Sequence, residues 1–259
     1  MGIALFVLIA LIAFAGGVIV TSVGPGGIFV VVALYGLTSL PAAVIAGTSS
    51  VTFIGGSVPG AAGYGYSDDM NWALALIIGV SGAIGTRLGV FLNAAVSRQL
   101  FGVLLGLLLG VVGVAILLRE YGYLDRFPTE SLDIVPASAA GIGIFGGIGL
   151  AIGTAGGLFG IGGAALIPPA LILVGVPMIA ALAVTQIAVV FIASAAAVSY
   201  VLQGAIAVPL VFVVAVTYLT GALAGWWLAK HISPNRLTAA LGVVLLGLTP
   251  VLVYRSIAL

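Results

Sequence analysis

Ser22-Val23-Gly24-Pro25-Gly26-Gly27, an apolar run, Pro41, and then Gly47-Thr48-Ser49-Ser50 form the stretch on which the fold turns. It reads as a membrane helix broken by glycine and proline, with a polar patch inside the helix that follows. The same shape returns as Phe159-Gly160-Ile161-Gly162-Gly163, an apolar run, Pro177, and Val184-Thr185-Gln186. Gly27 stands as far before Pro41 as Gly163 stands before Pro177. The polar groups begin at Thr48 after the first proline and at Thr185 after the second, at nearly the same distance in each copy.

The chain around these two stretches is almost entirely membrane. Of its 259 residues, 63% are hydrophobic and 5% are charged, and its mean hydropathy is +1.42. A soluble domain carries about 25% charged residues. A helix needs about 20 apolar residues to span the bilayer core, so the chain has room for about eight to ten spans and for no separate soluble domain. The apolar runs are continuous, which points to helices rather than to the alternating strands of a barrel. The absence of cysteine excludes disulfides, thiolate nucleophiles and thiolate metal sites. Ala13-Phe14-Ala15 resembles a leader cleavage site, but no basic residue precedes the apolar run. That run is therefore expected to stay as a span.

Spans are expected at roughly residues 2–22, 42–62, 72–92, 99–118, 135–157, 178–200, 206–229 and 237–255. Two shorter pieces, about 28–39 and 164–175, lie between the first and second spans of each half. With a rise of about 1.5 Å per residue neither crosses alone, so each is a re-entrant half-helix or one half of a broken span. Non-helical backbone at membrane depth survives only where protein or a water-filled cavity satisfies it. The glycine breaks therefore point to a cavity.

The chain divides into a first membrane repeat (1–119), a connecting loop (120–133) and a second membrane repeat (134–259). Gly26-Gly27 matches Gly162-Gly163, Pro41 matches Pro177, and Arg98 falls close to Arg236. Ala115 to Arg119 resembles Val251 to Arg255. Internal repeats are the usual build of secondary transporters, with the site at the repeat interface near the midplane. The loops near 93–98 and 230–236 carry only basic charge, so the positive-inside rule puts both in the cytoplasm. The loop with Asp68 and Asp69 then faces outward. So does the central loop with Arg119, Glu120, Asp125, Arg126, Glu130 and Asp133. Two basic loops on one side favour a parallel repeat of four spans each. If the short pieces cross, each half has five spans and the repeat is inverted. Tyr64, Tyr66, Trp72, Tyr121, Tyr123, Phe127, Trp226 and Trp227 mark the interfacial belt.

Helices starting after Gly26-Gly27 and after Gly162-Gly163 would each turn free backbone N–H groups into the break. Helix N-termini bind anions without a cationic side chain. Thr48, Ser49, Thr185 and Gln186 lie at matching depths and add uncharged donors; their alternative role is to bond a neighbouring helix or their own preceding turn. Arg87 is the one charged residue inside an expected span rather than at its last position, as Arg255 is, which makes it a candidate gate or anchor. Gly160-Ile161-Gly162-Gly163-Ala164-Ala165 fits a loose dinucleotide fingerprint, but the next charged residue is Lys230, far past the acid that motif needs. No Asp or Glu falls within an expected span, so no buried carboxylate proton relay is visible. An anion leaving a negative cell interior gains about 2.3 kcal/mol per charge per 100 mV.

The order of glycine-rich break, apolar run, proline, Gly-Thr-Ser, small-residue span and Tyr-Gly loop resembles the TauE/SafE (TSUP) family of sulfite and sulfonate exporters. The residues that carry the resemblance are Gly24 to Gly27, Pro41, Gly47-Thr48-Ser49, Tyr64-Gly65 and Trp72 in the first half. In the second half they are Gly160 to Gly163, Pro177, Thr185 and Gln203-Gly204. The resemblance implies carriage of small sulfur-containing anions such as sulfite, sulfoacetate or related organosulfonates. Two departures stand out: Pro25 in the first break, and Val184-Thr185-Gln186 where the family pattern is Gly-Thr-Ser.

The expectation is an all-α, polytopic membrane protein of about eight spans plus two short re-entrant or broken helices, built as a twofold internal repeat. It is a secondary transporter exporting a small anion, held by Gly26, Gly27, Thr48, Ser49, Gly162, Gly163, Thr185 and Gln186, in a multi-pass cell (inner) membrane location. The alternatives are a channel-like anion uniporter and a non-transport subunit of a membrane assembly. Without cysteine, a histidine cluster or membrane carboxylates, the usual proteolytic and metal constellations cannot be built, so no enzyme, metal or cofactor is expected. The partners are the anionic substrate and the lipid bilayer, with no nucleic acid. Gly85/Gly89 and Gly221/Gly225 suit packing within the chain or across a homodimer.

Overall fold

The structure, a computed structural model, describes residues 2–22, 25–65, 68–121, 135–228 and 234–258. Asp125, Arg126, Glu130 and Asp133 of the connecting loop, and Val23, Gly24, Tyr66, Tyr123, Phe127, Lys230 and His231, lie outside the described residues. So do the side chains of Ser22, Pro25, Tyr64, Arg119, Trp226, Trp227 and Arg236.

All elements among the described residues are helical. They are α1 (Ile3–Ser22), a 3₁₀ turn (Pro25–Gly27), α2 (Ile28–Leu37), α3 (Ala42–Tyr64), α4 (Trp72–Ala95), α5 (Arg98–Glu120), α6 (Ala139–Phe159), α7 (Ile167–Leu173), α8 (Met178–Leu202), α9 (Val208–Leu228) and α10 (Pro234–Ile257). Seven of them, α1, α3, α4, α5, α6, α8 and α9, are long and apolar enough to cross a membrane, and α10 carries the apolar run Leu241–Ile257. The chain is thus a polytopic α-helical membrane protein. Local sequence sets the boundaries. Asn71 caps α4 by accepting from the Leu74 amide, and Ser138 caps α6 by accepting from the Gly141 amide, each at 3.0 Å. Pro41 and Pro177 stand immediately before α3 and α8, where a missing N–H costs nothing. The two short expected pieces are α2, with ten residues, and α7, with seven. At the helical rise they reach about 15 and about 10 Å, half or less of a bilayer.

Side-chain contacts fix the direction of each helix. The Tyr35 hydroxyl, near the end of α2, meets the Ser256 hydroxyl, near the end of α10, at 2.7 Å. Arg98, at the start of α5, bonds the Tyr35 carbonyl. We call this end the lower face. α3 starts there and rises. α8 descends beside it, since Gly60 meets Gln186 high up and Gly47 meets Tyr200 and Ala205 low down. α9 then rises from Ala207, whose amide donates to the Thr48 hydroxyl at 3.1 Å. α1 runs parallel to α9, with Phe14 against Gly221 and Val18 against Gly225. α4 and α6 run parallel and downward, with Gly85 against Leu150 and Gly89 against Thr154. α5 and α10 are antiparallel, from Gly102 beside Ser256 to Gly113 beside Gly242.

The expected placement of the basic loops is overturned here. Arg98 lies at the lower face, while α9 ends and α10 begins at the upper face, so α5 and α10 start at opposite ends; Lys230 and His231 lie outside the described residues. The reason is α2, which turns the chain back to the lower face without crossing fully. Both Gly-x-x-x-Gly faces pack within the chain, α4 on α6 and α9 on α1. The absence of a side chain lets the backbones touch, which is how membrane helices gain contact where lipid is as apolar as leucine.

Candidate functional site

The first break folds back onto α1, where Gly26 presses on Gly16, Ile19 and Val20. A side chain there would enter the α1 backbone. The helical run that includes α2 starts at Pro25, which has no N–H. Gly26 therefore presents its first amide, while the Gly27 amide is committed to the i→i+3 bonding that makes the 3₁₀ turn. Gly27 stands at the edge of two aromatic rings: a Cβ on it would lie 3.0 Å from Phe53 Cζ and 3.1 Å from the Tyr218 hydroxyl.

The second break is built differently. Gly160, Gly162 and Gly163 have φ of 71°, 64° and 81°, a left-handed path open to glycine at little cost. The carbonyls that end α6 are covered one by one. Gly156 accepts from the Ile161 amide at 3.2 Å, Gly157 from the Tyr200 hydroxyl at 2.8 Å, and Leu158 from the Asn93 amide group at 2.6 Å. The start of α7 offers few free amides. Leu166 and Ile167 both donate to the Gly163 carbonyl at 3.0 Å, and Pro168 and Pro169 have no N–H. The two breaks therefore differ in build. The first is a helix start, and the second is a capped left-handed loop.

Phe53 joins them. Its ring touches Gly27, and its Cβ lies 3.9 Å from where a Cβ on Gly162 would stand. Ala46 packs against Gly160. Ser49 lies between Ala46 and Phe53 at helical spacing from both, so it shares their stripe of α3 and faces the second break. Its side chain is 0% exposed, and its hydroxyl has no hydrogen-bond partner. Ser50, Thr52, Thr86 and Ser256 instead return their hydroxyls to the carbonyl one turn back. Buried polar groups are nearly always paired; among the described residues the exceptions are the Ser49 hydroxyl and Asn93 Oδ1, and of the two Ser49 is the one that can donate.

The other expected residues separate into two groups. Thr48 is buried and holds the Ala207 amide, so its hydroxyl ties α3 to the entrance of α9. Thr185 is buried and donates to the Ala181 carbonyl at 2.6 Å, within its own helix. Gln186 is half-buried, with its side-chain carbonyl against Gly60, high on the α3–α8 contact. Arg87 stands on the exposed face of α4 beside Ile84, Leu88 and Phe91 and is not among the residues gathered at the breaks.

Sequence reasoning missed Phe53, Tyr218, Tyr200 and Asn93. Tyr200 and Tyr218 are buried deep within apolar helices, and a phenol placed so must find a polar neighbour. That requirement was the available signal. Asn93, an amide in the last turn of a span, carried the same one.

The family model described as Sulfite exporter TauE/SafE matches residues 9–251 of the chain. No curated protein and no solved structure matches it.

Proposed function

The chain belongs to the sulfite exporter TauE/SafE family, and we propose that it exports a small anion, with sulfite or an organosulfonate as its cargo. The observation that carries this reading is the buried, unpaired Ser49 hydroxyl on the α3 stripe between the glycine breaks. It is a donor held ready in an apolar interior, where a hydrogen bond to a charged group is worth about 1.5–3 kcal/mol. The Gly26 amide and the Tyr218 hydroxyl add neutral donors on the other side of Phe53, with Gly27 keeping the wall close. Neutral donors at a helix N-terminus select anions over cations. The substrate site comprises Ser49, Gly26, Gly27 and Tyr218 first, with Gly162 and Gly163 shaping its far wall. Thr48, Thr185 and Gln186 support the helices around it. A cell (inner) membrane location follows from export of a metabolic anion, and nothing in the site calls for catalysis or a cofactor.

We read the architecture as an inverted repeat. Helix starts recur at one constant spacing, pairing Ile3 with Ala139, Ala42 with Met178, Trp72 with Val208 and Arg98 with Pro234. Contacts recur at the same spacing, with Gly85 on Leu150 matched by Gly221 on Phe14. Matched helices run in opposite directions, an arrangement found in many alternating-access transporters.

The test is flux of sulfite, sulfoacetate, acetate and phosphate from proteoliposomes. Saturating flux of sulfite or sulfoacetate that falls in Ser49→Ala supports the reading. Flux that never saturates favours a uniporter, and none with any anion favours a subunit role.

A further inference from the structure

The end of α2 opposite the proposed site is fastened by a cation. The Arg98 guanidinium, at the first residue of α5, donates to the carbonyls of Leu40 and Thr38 at 2.6 Å and of Tyr35 at 2.7 Å. Its Cζ also stands 4.9 Å from the centre of the Tyr35 ring. Tyr35 in turn bonds Ser256 of α10 and packs on Phe101 of α5, with ring centres 6.0 Å apart. The Tyr35 and Thr38 carbonyls belong to the C-terminal end of the half-helix, which carries partial negative charge and favours a cation, and Leu40 to the segment that leads into α3. A guanidinium presents its donors as a rigid planar fork, which a lysine cannot reproduce. α2 is thus tied by side chains to α5 and α10.

α7 has a different ending. The carbonyls of Leu171 and Ile172 are taken by the amides of Val174, Gly175 and Val176, in a turn that uses Gly175 at φ 87°. The helix start that matches Arg98 in the second half is Pro234, and the Arg236 side chain beyond it lies outside the described residues. Leu173, the last residue of α7, is 60% exposed.

From this difference we infer that Arg98 is a positioning residue that fixes α2, so that the anion-facing end at Gly27 stays in place while α7 is the half-helix that rearranges during transport. The inference rests on the proposed site for its functional meaning, but the fastening can be tested without any substrate.

The experiment is hydrogen exchange on the full chain in nanodiscs, with no added anion, for the native protein, Arg98→Gln and Arg98→Lys. The native protein should protect the amides of residues 28–37 at least about tenfold more than those of 170–173. Both variants should lose about tenfold of the α2 protection and leave α7 unchanged, since neither side chain can bridge three carbonyls. Equal protection of α2 and α7 in the native protein would overturn the inference without any variant. So would α2 protection that survives in both variants. Sulfite flux then gives the functional readout: the variants should raise KM with kcat kept, whereas a merely structural role would lower the amount of active protein at constant KM. Absence of sulfite flux in the native protein would remove the substrate reading and leave the exchange result standing.

Discussion

The Phe53 ring stands edge-on to Tyr218, with centroids 5.5 Å apart and planes at 73°, and the pair closes the space between the two glycine breaks. Phe53 is 3% exposed and Tyr218 2%, so neither ring faces a water-filled path in this conformation. Phe53→Ala should open that wall. We expect faster sulfite flux from proteoliposomes that no longer saturates, and an unchanged KM and kcat would show that the ring is only packing.

Ser49→Ala removes a buried hydroxyl that has no partner. An unsatisfied group of this kind costs about 1–3 kcal/mol. The thermal midpoint should therefore stay level or rise while sulfite-induced stabilisation disappears. A fall in midpoint with sulfite binding kept would place the hydroxyl in the scaffold instead.

Thr48→Val should do the opposite. It leaves the Ala207 amide without the acceptor it has at 3.1 Å, a loss of about 1–3 kcal/mol. Thermal unfolding should show the drop, with the KM of the surviving protein close to native.

Gly162→Ala places a Cβ at φ 64°. The left-handed conformation costs an ordinary residue about 1–2 kcal/mol, and the nearest neighbour, Val189 Cγ1 at 3.2 Å, would have to give slightly. A small fall in midpoint with a large fall in flux is expected, because the cost is met by shifting the break.

Gly89→Leu and Gly225→Leu probe matched contacts, α4 on Thr154 and α9 on Val18. Each side chain would have to separate parallel helices that touch through backbone. Overpacking of this kind costs about 1–3 kcal/mol or more, and similar losses of folded protein in the two variants, read by size-exclusion chromatography, are expected.

Much of the fold was legible because continuous hydrophobicity and paired Gly-Gly and Pro signals are local. The expected run at 72–92 is α4, Trp72–Ala95, and the expected short piece at 28–39 is α2, Ile28–Leu37. Direction was not legible. Charge near Arg98 and Lys230 suggested one side for both loops, but direction depends on whether α2 crosses, a property of three-dimensional packing. Within the site, Ser49 and Thr48 look interchangeable in sequence. Only the structure separates them, since Thr48 meets the amide of the distant Ala207 and Ser49 meets none. The two breaks differ in build for a reason that was visible in the sequence: Pro168 and Pro169 leave the start of α7 without two of its amides.

The parallel pairing of α1 with α9 has a consequence for biosynthesis. Most of the chain is made between the end of α1 at Ser22 and the start of α9 at Val208. At about 5–20 residues per second, α1 waits in the bilayer for roughly 10–40 s before its partner emerges. α6 meets α4 far sooner, with a single helix between them. During that interval Gly17, on the α9-facing side of α1, lacks the partner it has in the fold, and a nascent chain stalled before Val208 would present that face to membrane proteases.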